Sequence, residues 1–136
     1  MFSHIFVSVS DFDRAFGFYT PIMSALGIEL RWCDPGKPWA GWHSSGKRRP
    51  YFVICKPYNG LPHASGNGQM VAFSANSRAI VCEVHDLALS GGGTSEGDPA
   101  LRPEYHEHYY GAYFRDLDGN KFCVACHAPE QQAQGE

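Results

Sequence analysis

Hydrophobic and polar positions along this chain spell the same order of elements twice. His4 to Gly27 reads as a strand, a polar turn, an amphipathic helix and a glycine, and Met70 to Gly93 repeats that order. In the first copy "IFVSVS" alternates apolar and small polar residues, as a half-buried strand does. Ser10 or Asp11 stands where a helix cap is needed, and Asp13 falls in the first turn. Ala15, Phe16, Tyr19, Ile22, Met23 and Leu26 then recur at helical spacing. Pro21 is expected to bend that helix, and Gly27 to stop it. In the second copy "MVAFSA" is the strand and Ser77 to Leu89 the helix, with Ile80, Val81, Val84, Leu87 and Ala88 on its buried face. Laid side by side, the copies align Ser8 with Ser74 and Arg14 roughly with Arg78.

Short strand-like runs follow each copy. "IELRW", "WAGWH" and "YFVIC" are separated by Asp34-Pro35-Gly36 and by "SSGKRR". "NGLPHASGNG" reads as a linker. The glycine-rich stretch from Gly91 to His108 reads as a long irregular approach, and "YYGAYFRDLDGNKFCVACH" as a hairpin turning at Asp118-Gly119. Helices followed by runs of strands predict an α+β fold with mostly antiparallel pairing. No nucleotide-binding glycine motif follows a strand. Two like units facing each other leave a cleft between them, where small molecules bind.

Composition narrows the function classes. The chain has 136 residues, 43% hydrophobic and 18% charged, which fits one compact domain. A net charge of -3 gives no field for nucleic acid or an acidic membrane surface. No apolar run is long enough to span a bilayer, and "MFSHIFVSVS" lacks a basic leader region. Five cysteines, an odd count mostly in apolar contexts, predict free thiols and a cytoplasmic location. Residues 129–136 read as a polar tail.

Several motifs carry candidate chemistry. Cys123-Val124-Ala125-Cys126-His127 spells the haem-attachment pattern, yet its cysteines would point to opposite faces of a strand. Asp116, Asp118 and Asn120 resemble the start of a calcium loop, but His127 stands where the closing glutamate is needed, so a hairpin turn whose asparagine and glycine accept positive φ is expected. His4 shares a strand face with Phe6 and Ser8 and reads equally as a structural residue or a ligand. "RPEYHEHYYGAYF" is the densest polar-aromatic cluster, and at least one of Tyr105, His106 and Tyr110 is expected to line the cleft. Arg102 suits a carboxylate clamp or a surface pair with Glu104 or Asp98. Trp32, Trp39 and Trp42 either wall an apolar pocket or pack in the core, and His85 reads as structural.

The full pattern resembles the vicinal oxygen chelate superfamily of glyoxalases, bleomycin-resistance proteins and extradiol dioxygenases. "HIFVSVSDFDRAFGFYTPIMSALG" and "YYGAYFRDLDGNKFCVACH" carry the resemblance, which extends from His4 to about His127; "LRPEYHEHYYGAYFRD" looks like a bacterial glyoxalase-like subgroup. It implies two βαβββ modules forming a half-open curved barrel, with module one over 1–57, a linker over 58–68 and module two over 69–128. It also implies a small-molecule ligand, a homodimer, and either a glyoxalase-like lyase or isomerase of the lactoylglutathione lyase type or a non-catalytic sequestering protein. Family members usually hold a divalent metal with side chains from strands one, four, five and eight. Here those positions carry His4, the apolar run "YFVIC", Met70 and Cys123. A metal site would draw on His4 and Cys123 and need His106 or His108 to complete it. In the enzymatic reading His4, His106 and Tyr105 are catalytic, and Arg102, Tyr110, Trp42 and Met70 contact substrate.

Overall fold

A computed structural model describes residues 1–130. The polar tail expected from the sequence falls for the most part outside them. The first copy forms β1 (His4–Ser8), α1 (Phe12–Ala25), β2 (Ile28–Asp34), β3 (Trp39–Ser44) and β4 (Tyr51–Cys55). The second forms β5 (Val71–Ser74), α2 (Arg78–Ser90), β6 (Thr94–Leu101), β7 (Tyr110–Arg115) and β8 (Lys121–Cys126). Each copy makes one four-stranded sheet, ordered β1-β4-β3-β2 and β5-β8-β7-β6. The pairings are antiparallel except those of β1 on β4 and β5 on β8, which run parallel. This is an α+β fold of two βαβββ modules. No helix among the described residues is long and apolar enough to cross a membrane.

The helices start where the caps dictate. Asp11 accepts from the Arg14 amide and Ser77 from the Ile80 amide, each satisfying a donor that the first turn leaves free. α1 runs through Pro21 to Ala25, and Gly27 follows at φ 71°. An added Cβ at Gly17, four residues before Pro21, would meet nothing within 4 Å, so the proline does not depend on a glycine there.

One departure from the sequence reading is β6. The stretch expected to be irregular is a strand in spite of Gly97 and Pro99. It lies at the sheet edge, where a missing amide costs no ladder bond, and its register with β7 shifts on both sides of Gly97. A second departure is Asn120. Among the described residues only glycines take positive φ, so the β7–β8 turn relies on Gly119 alone, and Asn120 serves as a buried hydrogen-bonding residue instead.

Both helices press on the same side of the sheets and share one core. Tyr19, 0% exposed, lies 5.7 Å from the Phe122 ring and 5.5 Å from Phe52, so α1 bridges the two modules. Phe52, Phe73 and Phe122 continue that aromatic contact across the seam. Strand alternation sends Ile5, Val7, Phe52, Ile54, Phe122 and Val124 into this core. The opposite residues of each strand face away from the helices, and that open face carries the candidate site.

Candidate functional site

Backbone hydrogen bonds fix how the copies superpose. Val9 N donates to Cys55 O and Ala75 N to Ala125 O, each at 2.8 Å. Ser8 is therefore the counterpart of Ser74, as the sequence alignment has it. The caps Asp11 and Ser77 are three residues further on in each copy, so Arg14 matches Ile80, two positions from Arg78. Phe6 pairs with Val53 as Ala72 pairs with Cys123, which makes Val53 and Cys123 equivalents.

The open face of module one is walled by aromatics. Trp32 reaches across Gly41, where an added Cβ would lie 2.2 Å from the ring. It packs edge-on against Trp39 at 5.0 Å and Tyr51 at 5.5 Å. Lys37 and Arg49 cover the outer faces of Trp39 and Tyr51. The Trp32 Nε1 is buried with no partner among the described residues.

Module two closes its open face with the β6–β7 loop. Tyr109 lies over Gly111 and puts its hydroxyl 3.0 Å from Tyr113 and 3.4 Å from the Cys123 sulfur. His106 Nε2 meets His127 Nδ1 at 2.8 Å, and Tyr105 and His106 both flank the Tyr109 ring. Arg102 stacks on Tyr113 and donates to the Asp98 carbonyl at 2.8 Å. Burial is the main cause that raises the Tyr109 phenol above its usual range, with the Cys123 contact next; burial likewise raises Tyr113.

Between the two walls, at the seam, lies a cavity of about 170 Å³. Phe6 and Ser8 of β1 form one side, Gln69 and Met70 another, and Asn120 and Lys121 a third. Lys121 is its single charged lining residue. The seam is stitched by polar bonds. Asn120 Nδ2 donates to the Ser8 carbonyl at 3.0 Å, and Ser10 Oγ to Asp118 at 2.5 Å. Ser8 Oγ meets His63 Nδ1 of the linker at 2.5 Å.

The structure thus gathers Tyr105, His106, Arg102 and Cys123 on one open face, and places Met70 on the seam cavity. It does not bring Trp42 or Tyr110 there. Trp42 is 2% exposed beneath α1, stacked on Phe16, because alternation along β3 turns it toward the helix. Tyr110 faces α2, where its hydroxyl lies 3.4 Å from the Cys82 sulfur. His4 is exposed and bonds only its neighbour Ser3, at 2.9 Å. His85 is buried on Ser95, as expected of a structural residue. Cys123 and Cys126 do face opposite sides of β8, since Cys126 belongs to the core and Cys123 does not. Sequence reasoning missed His63 and Ser8 as a pair. A histidine in a glycine-rich linker carries no periodic signal.

No protein-family model matches the sequence, and no curated protein does. Among solved structures, a glyoxalase/bleomycin resistance protein from Albidiferax ferrireducens T118 is 34% identical, covers 93% of this chain and 98% of its own, and superposes with a TM-score of 0.83. The chain belongs to the glyoxalase/bleomycin resistance superfamily. More distant structures share the fold. A glyoxalase/bleomycin resistance protein/dioxygenase family enzyme from Burkholderia phytofirmans PsJN is 16% identical, with 93% of this chain and 98% of that one covered and a TM-score of 0.66. A glyoxalase-related enzyme from Fulvimarina pelagi is also 16% identical, with 93% and 87% covered and a TM-score of 0.68.

Within this superfamily fold, the positions that the resemblance assigns to a divalent metal can be tested side chain by side chain. They hold His4, Val53, Met70 and Cys123. His4 is the single hard donor, Val53 and Met70 carry no oxygen or nitrogen ligand, and Cys123 is held by Tyr109. Among the described residues no group of three or more His, Cys, Asp or Glu side chains gathers to hold a metal. The donor set does not fit the group.

Proposed function

We propose that this chain binds a small organic molecule in the seam cavity and on the aromatic walls beside it, without a divalent metal. The observation that carries this reading is the side-chain chemistry of the four superfamily positions, one hard donor where a metal needs several. Metal-dependent lyase or isomerase chemistry requires an ion to polarise the substrate and a carboxylate to move its proton. Cys123 stands where that carboxylate is expected. What remains is a space with apolar flanks at Phe6 and Met70, hydrogen-bonding groups at Gln69 and Asn120, and Lys121 as its one charged lining residue. Such a wall suits a small, partly apolar ligand that is neutral or carries one negative charge.

Thermal unfolding with a library of small carboxylates, esters and aromatic acids tests the reading. Binding to the folded state raises the melting temperature in proportion to occupancy. The increase is expected to be the same after dialysis against a chelator, and to be lost in Met70→Trp, which fills the cavity. Stoichiometric retention of a divalent metal, or stabilisation that vanishes with the chelator, would overturn it.

A further inference from the structure

Ser8 and His63 are 55 residues apart in sequence, yet their side chains meet at 2.5 Å. Ser8 lines the seam cavity, a space that a small molecule can enter. His63 engages it through Nδ1, while Nε2 is buried with no partner among the described residues. The ring has one polar contact, and that contact is the serine. Ser8 is held in turn. Its carbonyl accepts from Asn120, and the next residue donates to Cys55. In the tautomer that leaves Nδ1 unprotonated, a hydroxyl within reach of that nitrogen is the pairing that makes serine a nucleophile. Lys121 lines the same cavity, with its ammonium directed over the Tyr113 ring at 5.8 Å.

We propose that Ser8 is a nucleophile and His63 its general base, acting on a small oxygen ester whose acyl part enters the seam cavity. The inference rests on the reading of that cavity as the ligand site. Ser8 Oγ bonds to the carbonyl carbon while its proton passes to His63 Nδ1, and the carbonyl electron pair moves onto oxygen. The carbonyl then re-forms, and the alcohol leaves with the proton from His63. An ester on Ser8 remains. Water, deprotonated by the same nitrogen, repeats the sequence and releases the acid and the free hydroxyl. Bond by bond the sum is ester plus water giving acid plus alcohol, with no metal and no oxidant.

The test is covalent. The intact protein is incubated with diisopropyl fluorophosphate, weighed by mass spectrometry and mapped by peptide. One adduct is expected, on Ser8, absent from Ser8→Ala and formed at least tenfold more slowly in His63→Gln. With p-nitrophenyl acetate a burst of about one equivalent of nitrophenolate is expected, which both variants lose. The adduct on the unmodified protein tests Ser8 without any variant, and circular dichroism of His63→Gln shows that its rate is read on folded protein. No adduct at Ser8 overturns the proposal, as does an adduct whose rate is unchanged in His63→Gln; the contact would then serve only to tie the linker to β1. Ligand-dependent stabilisation that persists beside such a result leaves the binding reading standing and removes the chemistry alone.

Discussion

Asp116 is 6% exposed and collects donors from Tyr19 Oη, from the Asp118 and Asn120 amides and from Asn120 Nδ2. A carboxylate buried with that many donors is stable only while each one stays. Tyr19→Phe keeps the ring in the core and removes one of them. The expected cost is about 1–3 kcal/mol in urea unfolding. A loss below about 0.5 kcal/mol would show that water replaces the hydroxyl. The sequence reading placed Tyr19 correctly on the buried face of α1 from its spacing. Its bond to Asp116 joins residues 97 apart, and such contacts leave no local signature. The Ser8–His63 pair was hidden for the same reason. Tyr105, His106 and Arg102 stand out in the sequence because polar and aromatic letters crowd one short stretch, and the structure places them on one open face.

At the scale of elements, both helices and most strands were legible because periodicity, caps and turn residues agree. β6 was not, since glycine and proline mask an edge strand whose pairing is set by β7. The connection from α2 into β6 depends on Gly93. An added Cβ there would lie 2.5 Å from the Arg115 carbonyl oxygen and 2.9 Å from that of Ala88. Both atoms are backbone and cannot swing aside. Gly41 is crowded too, but by the end of the Trp32 ring. Gly93→Ala is therefore expected to cost about 3 kcal/mol or more, and Gly41→Ala about 1–2 kcal/mol. In the second variant Trp32 leaves its slot, so tryptophan emission should shift to the red. Equal losses in the two variants would contradict the distinction between backbone and side-chain neighbours.

For the whole molecule, four of the seven tyrosines have phenols raised above their ordinary range. Burial is the largest cause for Tyr19, Tyr109 and Tyr113, and the Cys82 contact for Tyr110. A raised value means that the folded chain keeps protons the unfolded chain gives up. These groups therefore support the fold fully below about pH 10, the ordinary tyrosine value, and less as pH climbs beyond it. Phenolate absorbance from these four residues is expected to appear in step with the loss of circular dichroism. Full ionisation of all tyrosines with the dichroism intact would refute this.

A doubled unit leaves one part of the chain without a twin. Every strand and helix of the first module has a counterpart, and Ser74 answers Ser8 at the same place in its own sheet. The linker runs from one module to the other only once, and among the described residues nothing stands to Ser74 as His63 stands to Ser8. Duplication hands a chain two of everything that folds and a single copy of what joins them. In this protein that unmatched stretch supplies the one imidazole to reach the seam serine, so the connector, and not either copy, is where the two halves cease to be interchangeable.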